Sequence, residues 1–167
     1  MTAVEHDFQT TEIHPIDMVE SLAEQCSWEF DRVGEDQIAM VIEGAWRTYS
    51  ASLAWSGRDD MLRLISTFEL SPPEERLSEI YRLLNLANDR IWGGSFSHWA
   101  EHGLVAYRHG MSLAGAAHVT HEQIESMVMS AIALSERFYP AFQLVAWGDE
   151  PAEDSLKVAI EEAYGTA

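Results

Sequence analysis

The sequence is poor in cysteine and lysine and has no long apolar run. Cys26 is alone, so no internal disulfide can form, and a lone thiol on an amphipathic helix is interpreted as a small core residue in a reducing compartment. Lys157 is the single lysine, which nearly excludes lysine-based catalysis. No segment reaches the roughly 20 apolar residues of a membrane span, and the amino-terminal residues lack the pattern of a signal peptide. A cytoplasmic protein without a membrane segment is predicted.

Acidic residues dominate the charge. Asp and Glu number 28 against 10 Lys and Arg, for a formal net charge of −18, and residues 1–36 contain ten carboxylates and one arginine. Such a surface repels phosphate backbones and anionic lipids, so nucleic-acid and membrane partners are excluded. The acidic surface is either a solvated face or an attraction for basic partners. With 47% apolar residues in 167, we predict a flexible segment at 1–12 and one domain at 13–167.

The first half of the chain is patterned as a helix followed by four strands. Pro15 suits a first helical position, and an apolar stripe runs from Ile16 to Cys26. Alternating apolar residues in "WEFDRV", "QIAMVIEG", "TYSASLAWSG" and "MLRLISTFEL", joined by short connections, predict an antiparallel meander with one buried face. The tryptophans are mostly assigned to the core, while Trp46 and Trp92 lie at element ends and are candidates for exposed anchors.

The second half is patterned as a helix, a hairpin and two more helices. A second helix is predicted to begin with Ser71 as its cap, Pro72 at its first position and Glu74 completing a capping box. Gly93 is expected to end it in a left-handed conformation. "EHG" is a hairpin loop in which Gly103 takes positive φ. Thr120 and Gln123 predict a capping box for a third helix that continues across Pro140 to Gly148, before a final acidic helix.

The segment "NDRIWGGSFSHWAEHGLVAYRH", residues 88–109, is rich enough in histidine to raise the question of a metal site. A metal needs three or four ligands converging at about 2.0–2.2 Å on one point. His98, His102 and His109 fall at separated positions of one predicted hairpin, so convergence is not expected and no metal or cofactor is predicted. No motif for a catalytic residue is recognisable. The alternative to a binding protein is a small-molecule sensor or hydrolase with a pocket near Arg108, His98 and Asp89.

The element order, with "RLLNLANDRIWGGSFSHW", "GLVAYRHGMSL" and "ERFYPAFQLVAWGD", resembles the YbjN family, described as bacterial sensory transduction regulators. The resemblance covers residues 15–164. It implies an α+β fold like that of type III secretion chaperones, in the order α-ββββ-α-ββ-α-α, with an antiparallel sheet packed against helices. It further implies a chaperone-like, commonly dimeric protein that binds protein segments and catalyses nothing.

The predicted length of the third helix favours a homodimer. Residues 120–147 would span about 42 Å, longer than a small sheet, so the far end is expected to overhang with an apolar stripe that a second copy covers. The alternative is that Pro140 folds the helix back, so that the monomer covers the stripe itself. The candidate partner or dimer surface consists of Trp92, Arg108, Phe138, Tyr139, Phe142 and Trp147. The sequence therefore predicts a non-enzymatic protein-binding or regulatory module, active as a homodimer and with a further protein partner.

Overall fold

The chain forms two layers, an antiparallel sheet and a layer of helices on one of its faces. The computed structural model describes residues 13–115 and 118–163, and the predicted flexible segment 1–12 lies outside them. The elements in chain order are α1 (Pro15–Gln25), β1 (Glu29–Gly34), β2 (Gln37–Glu43), β3 (Thr48–Ser56), β4 (Met61–Glu69), α2 (Leu77–Asn88), β5 (Ser95–Trp99), β6 (Leu104–Ser112), α3 (His121–Trp147) and α4 (Ala152–Ala163).

All six strands belong to one sheet in the order β1-β2-β3-β4-β6-β5. The predicted meander occupies four neighbouring positions, and the predicted hairpin joins it because β6 pairs with β4 from Met61↔Ser112 to Glu69↔Leu104. Both the α+β class and the predicted element order are confirmed.

The core lies between the sheet and the helices, where alternate strand residues point. Phe68 of β4 and Phe96 of β5 both contact the aromatic rings of α3, with ring centroids 5.8 Å apart for Phe68–Phe142 and 5.8 Å for Phe96–Phe138. α1 packs on β1, β2 and β3, while α4 packs on α2 and α3. The opposite face of the sheet therefore carries no helix of the described residues.

The helix α2 begins later than predicted. A short 3-10 turn covers Glu74–Arg76 and the α-helix starts at Leu77, without a side-chain cap. The predicted capping box fails because Pro72 precedes Pro73, and a residue before proline disfavours the helical conformation. Pro73 itself is extended, with ψ at 151°.

The prediction that Gly93 caps the end of the second helix is wrong, and the neighbouring Gly94 is the glycine that close packing requires. α2 ends at Asn88 with Asp89 as its right-handed C-cap, and Gly93 has no positive φ. Gly94 packs against β6, where an added Cβ would lie 2.6 Å from the carbonyl oxygen of Arg108. Gly103 adopts the predicted left-handed conformation in the hairpin loop, with φ at 62°.

The predicted ends of α3 are confirmed, whereas the interpretation of the residue that ends α1 is wrong. The capping box of Thr120 and Gln123 is confirmed, and α3 continues through Pro140 to its C-cap at Gly148. α1 begins at Pro15 as predicted, but Cys26 lies at its C-cap and is exposed, so the interpretation as a core thiol is wrong. The apolar stripe of α1 ends at Ala23, and Cys26 falls past the last helical residue.

Side chains rather than backbone cover part of both sheet edges. At the β5 edge, the Asn88 side chain accepts from the Phe96 backbone N–H at 2.8 Å and donates to the Phe96 carbonyl at 3.0 Å. At the β1 edge, Arg32 donates to the backbone carbonyls of Gly34 and Glu35 and pairs with carboxylates of α1. The register of β1 shifts at the same point, between Arg32 and Gly34.

Candidate functional site

An apolar groove lies between two exposed tryptophans at the end of α3. Trp46 projects from the β2–β3 turn and is 53% exposed, while Trp147 is the last residue of α3 and is 62% exposed. The groove encloses about 510 Å³. Its other lining residues are Tyr139, Pro140, Gln143, Leu144, Gly148 and Val158. We call it the Trp46–Trp147 groove.

The turn that carries Trp46 is held by one carboxylate of α3. Glu136 accepts hydrogen bonds from the backbone N–H groups of Ala45, at 2.9 Å, and Trp46, at 3.4 Å, and from the Tyr49 hydroxyl. Burial raises the pKa of the Tyr49 phenol, and its bond to Glu136 raises it further. Gly44 leaves the space for this approach, since an added Cβ would collide with the Glu136 carboxylate. The position of Trp46 therefore depends on a contact between residues about 90 positions apart.

The predicted surface residues separate into two groups. Trp92, Arg108 and Trp147 are exposed, and their part in a protein contact stays a prediction. Phe138, Tyr139 and Phe142 are buried, so the prediction that they form an exposed stripe is wrong. The far end of α3 does not overhang, because Phe68 and Phe96 of the sheet pack on one side of it and α4 on another.

The assignment of the tryptophans to the core holds in part, because Trp28 and Trp55 pack against the core. None of the six is fully buried: Trp28, Trp55 and Trp99 are partly buried, and the other three are exposed. The element-end positions of Trp46 and Trp92 were the sequence signal for their exposure, and both are confirmed as exposed. Trp147 is exposed as well, and its position beside Trp46 is the feature that the sequence did not predict.

A second cavity lies beneath Trp92 and contains a histidine. It encloses about 550 Å³ between β6, the segment after α2 and the first turns of α3. His109 and Tyr107 contribute from β6, and Met111, Met127 and Leu134 supply apolar walls. The Nδ1 atom of His109 is buried and has no hydrogen-bond partner among the described residues. Burial lowers the pKa of His109 and raises that of the Tyr107 phenol.

The buried His109 predicts a loss of stability in mild acid. Its lowered pKa means that the unfolded chain takes up a proton near its ordinary value of about 6.5 while the folded protein does not, so stability falls as pH drops below that value. We expect His109→Gln to lose less stability than the wild type between about pH 7.5 and about pH 5.5, measured by urea unfolding. His121→Gln, at an exposed position, is the control. Equal losses for both variants and the wild type would contradict the assignment.

The residues of the alternative sensor or hydrolase pocket are not brought together. Arg108 pairs with Ser95 and faces away from the helices, whereas His98 pairs with Val105 and faces α2, where its ring lies 6.3 Å from that of Tyr81. Asp89 is exposed at the end of α2. Arg108 and His98 are thus on opposite faces of the sheet.

Residues 13–115 and 118–163 contain neither a metal-binding cluster nor a membrane-spanning helix. No group of three or more His, Cys, Asp or Glu side chains in this part of the chain is arranged to hold a metal ion. None of the helices described there combines the length and apolar character needed to cross a membrane.

Comparison with known proteins identifies a family and a fold. Residues 15–144 match the YbjN family, described as "Putative bacterial sensory transduction regulator". Among solved structures, a chain of the ExsC–ExsE complex is 12% identical with a TM-score of 0.53, over 80% of this chain and 94% of that one. YbjN, "a putative transcription regulator from E. coli", is 12% identical with a TM-score of 0.50, over 90% and 92%. No curated protein matches the sequence. The predicted type III secretion chaperone-like fold is confirmed.

Proposed function

Because this chain belongs to the YbjN family, we propose that it is a non-enzymatic, chaperone-like regulatory protein that binds a segment of another protein in bacterial signal transduction. The family description supports a regulatory role. The ExsC–ExsE complex supports protein binding as a use of this fold, since the similar chain there is found with another protein.

The observation that carries the proposal is the Trp46–Trp147 groove. Tryptophan is enriched among the residues that dominate binding energy, and an exposed apolar patch with a polar rim is typical of a protein-binding site. Two tryptophans flank an apolar floor here, and each keeps more than half of its surface in contact with solvent. Apolar surface that stays in contact with water does not stabilise the folded chain. Folding alone therefore does not explain why the two tryptophans are exposed.

The charge around the groove indicates the kind of segment that binds there. Asp149 and Glu150 follow directly after Gly148 at the groove and are exposed, and the whole chain carries a formal net charge of −18. Complementary charge speeds association and selects partners. The proposed occupant is therefore a basic segment with one or two apolar anchor residues that fill the space between the tryptophans.

The test compares binding with and without the two tryptophans. Proteins captured from the native cell by the wild type are identified by quantitative mass spectrometry, and the most strongly enriched one is purified, its bound segment is mapped, and its binding is titrated. Trp46→Ala with Trp147→Ala is expected to weaken its binding about 30-fold or more, since each truncated anchor costs more than about 1 kcal/mol. Tyr81→Ala, at an exposed aromatic residue that does not line the groove, is the control and should leave the affinity unchanged. Equal affinity for the double variant, or a captured segment that is acidic, would contradict the groove assignment.

The proposal includes a homodimer in the cytoplasm. The exposed thiol of Cys26 fits a reducing compartment, where it stays free of disulfide exchange. The dimer requires a surface other than the buried aromatic stripe of α3, and the face of the sheet away from the helices supplies one.

A further inference from the structure

The sheet face that carries no helix is lined mainly by small side chains. We call it the open sheet face. Ala39, Ser50, Ser52 and Thr67 lie on it, together with Val41, which is 40% exposed, and Ile65, while Trp99 and Leu104 border it at the β5–β6 end. Together with neighbouring residues they border a shallow concavity of about 470 Å³. Side chains this small allow another flat surface to approach to the roughly 10 Å that separates packed sheets.

Charge on the open sheet face is arranged asymmetrically along one row of paired residues. Asp31 of β1 pairs with Ala39, Ala39 with Ser52, Ser52 with Ile65, and Ile65 with Arg108 of β6. The row thus begins with a negative charge and ends, four strands or about 19 Å away, with a positive one. Both charged residues are exposed, and neither has an ion-pair partner among the residues that the structure describes.

We propose that the open sheet face binds a second copy of the same chain, with Asp31 of each copy opposite Arg108 of the other. This inference adds a binding surface to the proposed homodimer. It rests on the proposed function for the homodimer alone. A two-fold axis lying between the sheets and parallel to β3 exchanges the two ends of the row and leaves Ser52 near the axis. Each interface then contains two identical Asp31–Arg108 pairs, as an isologous contact requires.

The area of the open sheet face suits a stable dimer. The axis at β3 overlaps the five strands from β1 to β6. Five strands at about 4.8 Å and about seven residues at about 3.3 Å give roughly 550 Å² per copy, or about 1,100 Å² in total. A biological interface buries more than about 1,000 Å², so this area is sufficient for one of small size. The open sheet face is also not purely polar, because Val41 and Ile65 lie near its centre.

Other charged residues at the margin are consistent with the same arrangement. The axis brings Glu43 towards Glu69 of the second copy, at one end of the face. Arg47 lies 3.4 Å from Glu69 of its own chain and offsets this repulsion. Arg63, at the other end, is paired with Asp59 and approaches the uncharged Gln37 of the second copy. Glu43 and Glu69 thus oppose association at this margin, whereas Asp31 and Arg108 favour it.

The experiment is a charge-exchange series measured by sedimentation at micromolar concentrations. The wild type is expected to form a species of about twice 18.8 kDa. Asp31→Arg and Arg108→Asp should each weaken dimerisation at least about tenfold, because each places two like-charged pairs in the interface. The double variant should return to within about threefold of the wild type. Arg90→Asp makes the same change in net charge as Arg108→Asp, but on an exposed residue away from the face, and should behave like the wild type.

Each contrary result has a distinct meaning. A dimer that neither single reversal weakens, or that the double variant does not restore, overturns the assigned pairing while the homodimer stands. A monomeric wild type overturns both, while binding at the Trp46–Trp147 groove is measured separately and stands or fails by itself. If the wild type is a monomer and Asp31→Arg or Arg108→Asp releases its captured partner, the open sheet face binds that partner. Binding of a second copy to this face is then overturned. Circular dichroism of each variant confirms that the fold is retained.

Discussion

Replacing Glu136 with alanine is expected to lower the free energy of unfolding by about 3 kcal/mol. The carboxylate accepts three hydrogen bonds, and its loss leaves the Tyr49 hydroxyl, which lies in the core beneath the turn, without its partner. Each buried donor left unsatisfied costs about 1–3 kcal/mol. The β2–β3 turn also loses its tie to α3, so the effect is larger than that of removing one ordinary surface contact.

The measurement is urea unfolding of the variant beside Glu125→Ala, an exposed glutamate on the same helix. The control is expected to change stability by less than about 0.5 kcal/mol. Glu136→Gln retains an acceptor oxygen and should fall between the two. Because Trp46 lies in the tied turn, partner binding should weaken in Glu136→Ala as well. A Glu136→Ala protein as stable as the control would show that the turn holds itself.

Gly94→Ala is expected to destabilise the protein by about 2 kcal/mol, whereas Gly93→Ala should be nearly neutral. A Cβ on Gly94 would lie 2.6 Å from the carbonyl oxygen of Arg108 and from the Tyr107 ring, and backbone cannot move aside cheaply. A Cβ on Gly93 would meet the His109 ring at 3.5 Å, an ordinary contact distance. The two adjacent glycines thus differ in their surroundings rather than in their conformational freedom.

Thermal and urea unfolding of the two variants under one buffer provide the comparison, each variant serving as the control of the other. Gly93→Ala should remain within about 0.5 kcal/mol of the wild type. Destabilisation by Gly93→Ala with a neutral Gly94→Ala would reverse the assignment and restore the helix-cap interpretation of Gly93.

Local patterns were sufficient to predict most of the secondary structure. Period-two alternation identifies β2, β3 and β4, because one face of each strand is buried and the other is not. The capping box at Thr120 determines the start of α3 within a few residues, so it is readable from the sequence alone. Fold class followed from these elements and their short connections.

Features that depend on the third dimension were not predictable. The aromatic stripe of α3 was recognisable, but a helical pattern alone does not tell whether the sheet, another helix or a second copy covers it. The role of Glu136 depends on a turn about 90 residues earlier in the chain. The pairing of Asp31 with Arg108 needs the full strand register, since the two lie 77 positions apart in sequence and in one row of the sheet.

The Asn88 amide has a consequence for how copies of this protein can associate. By bonding both backbone groups of Phe96, it takes the place of a neighbouring strand in the middle of β5, so an incoming chain finds no free ladder there. The opposite edge is interrupted by the register shift at Arg32 and carries the charges of Glu29 and Asp31. Edges treated in this way resist strand-by-strand growth into fibres. Association through a face about a two-fold axis stops at a pair, so the protein can be held at high concentration without open-ended polymerisation.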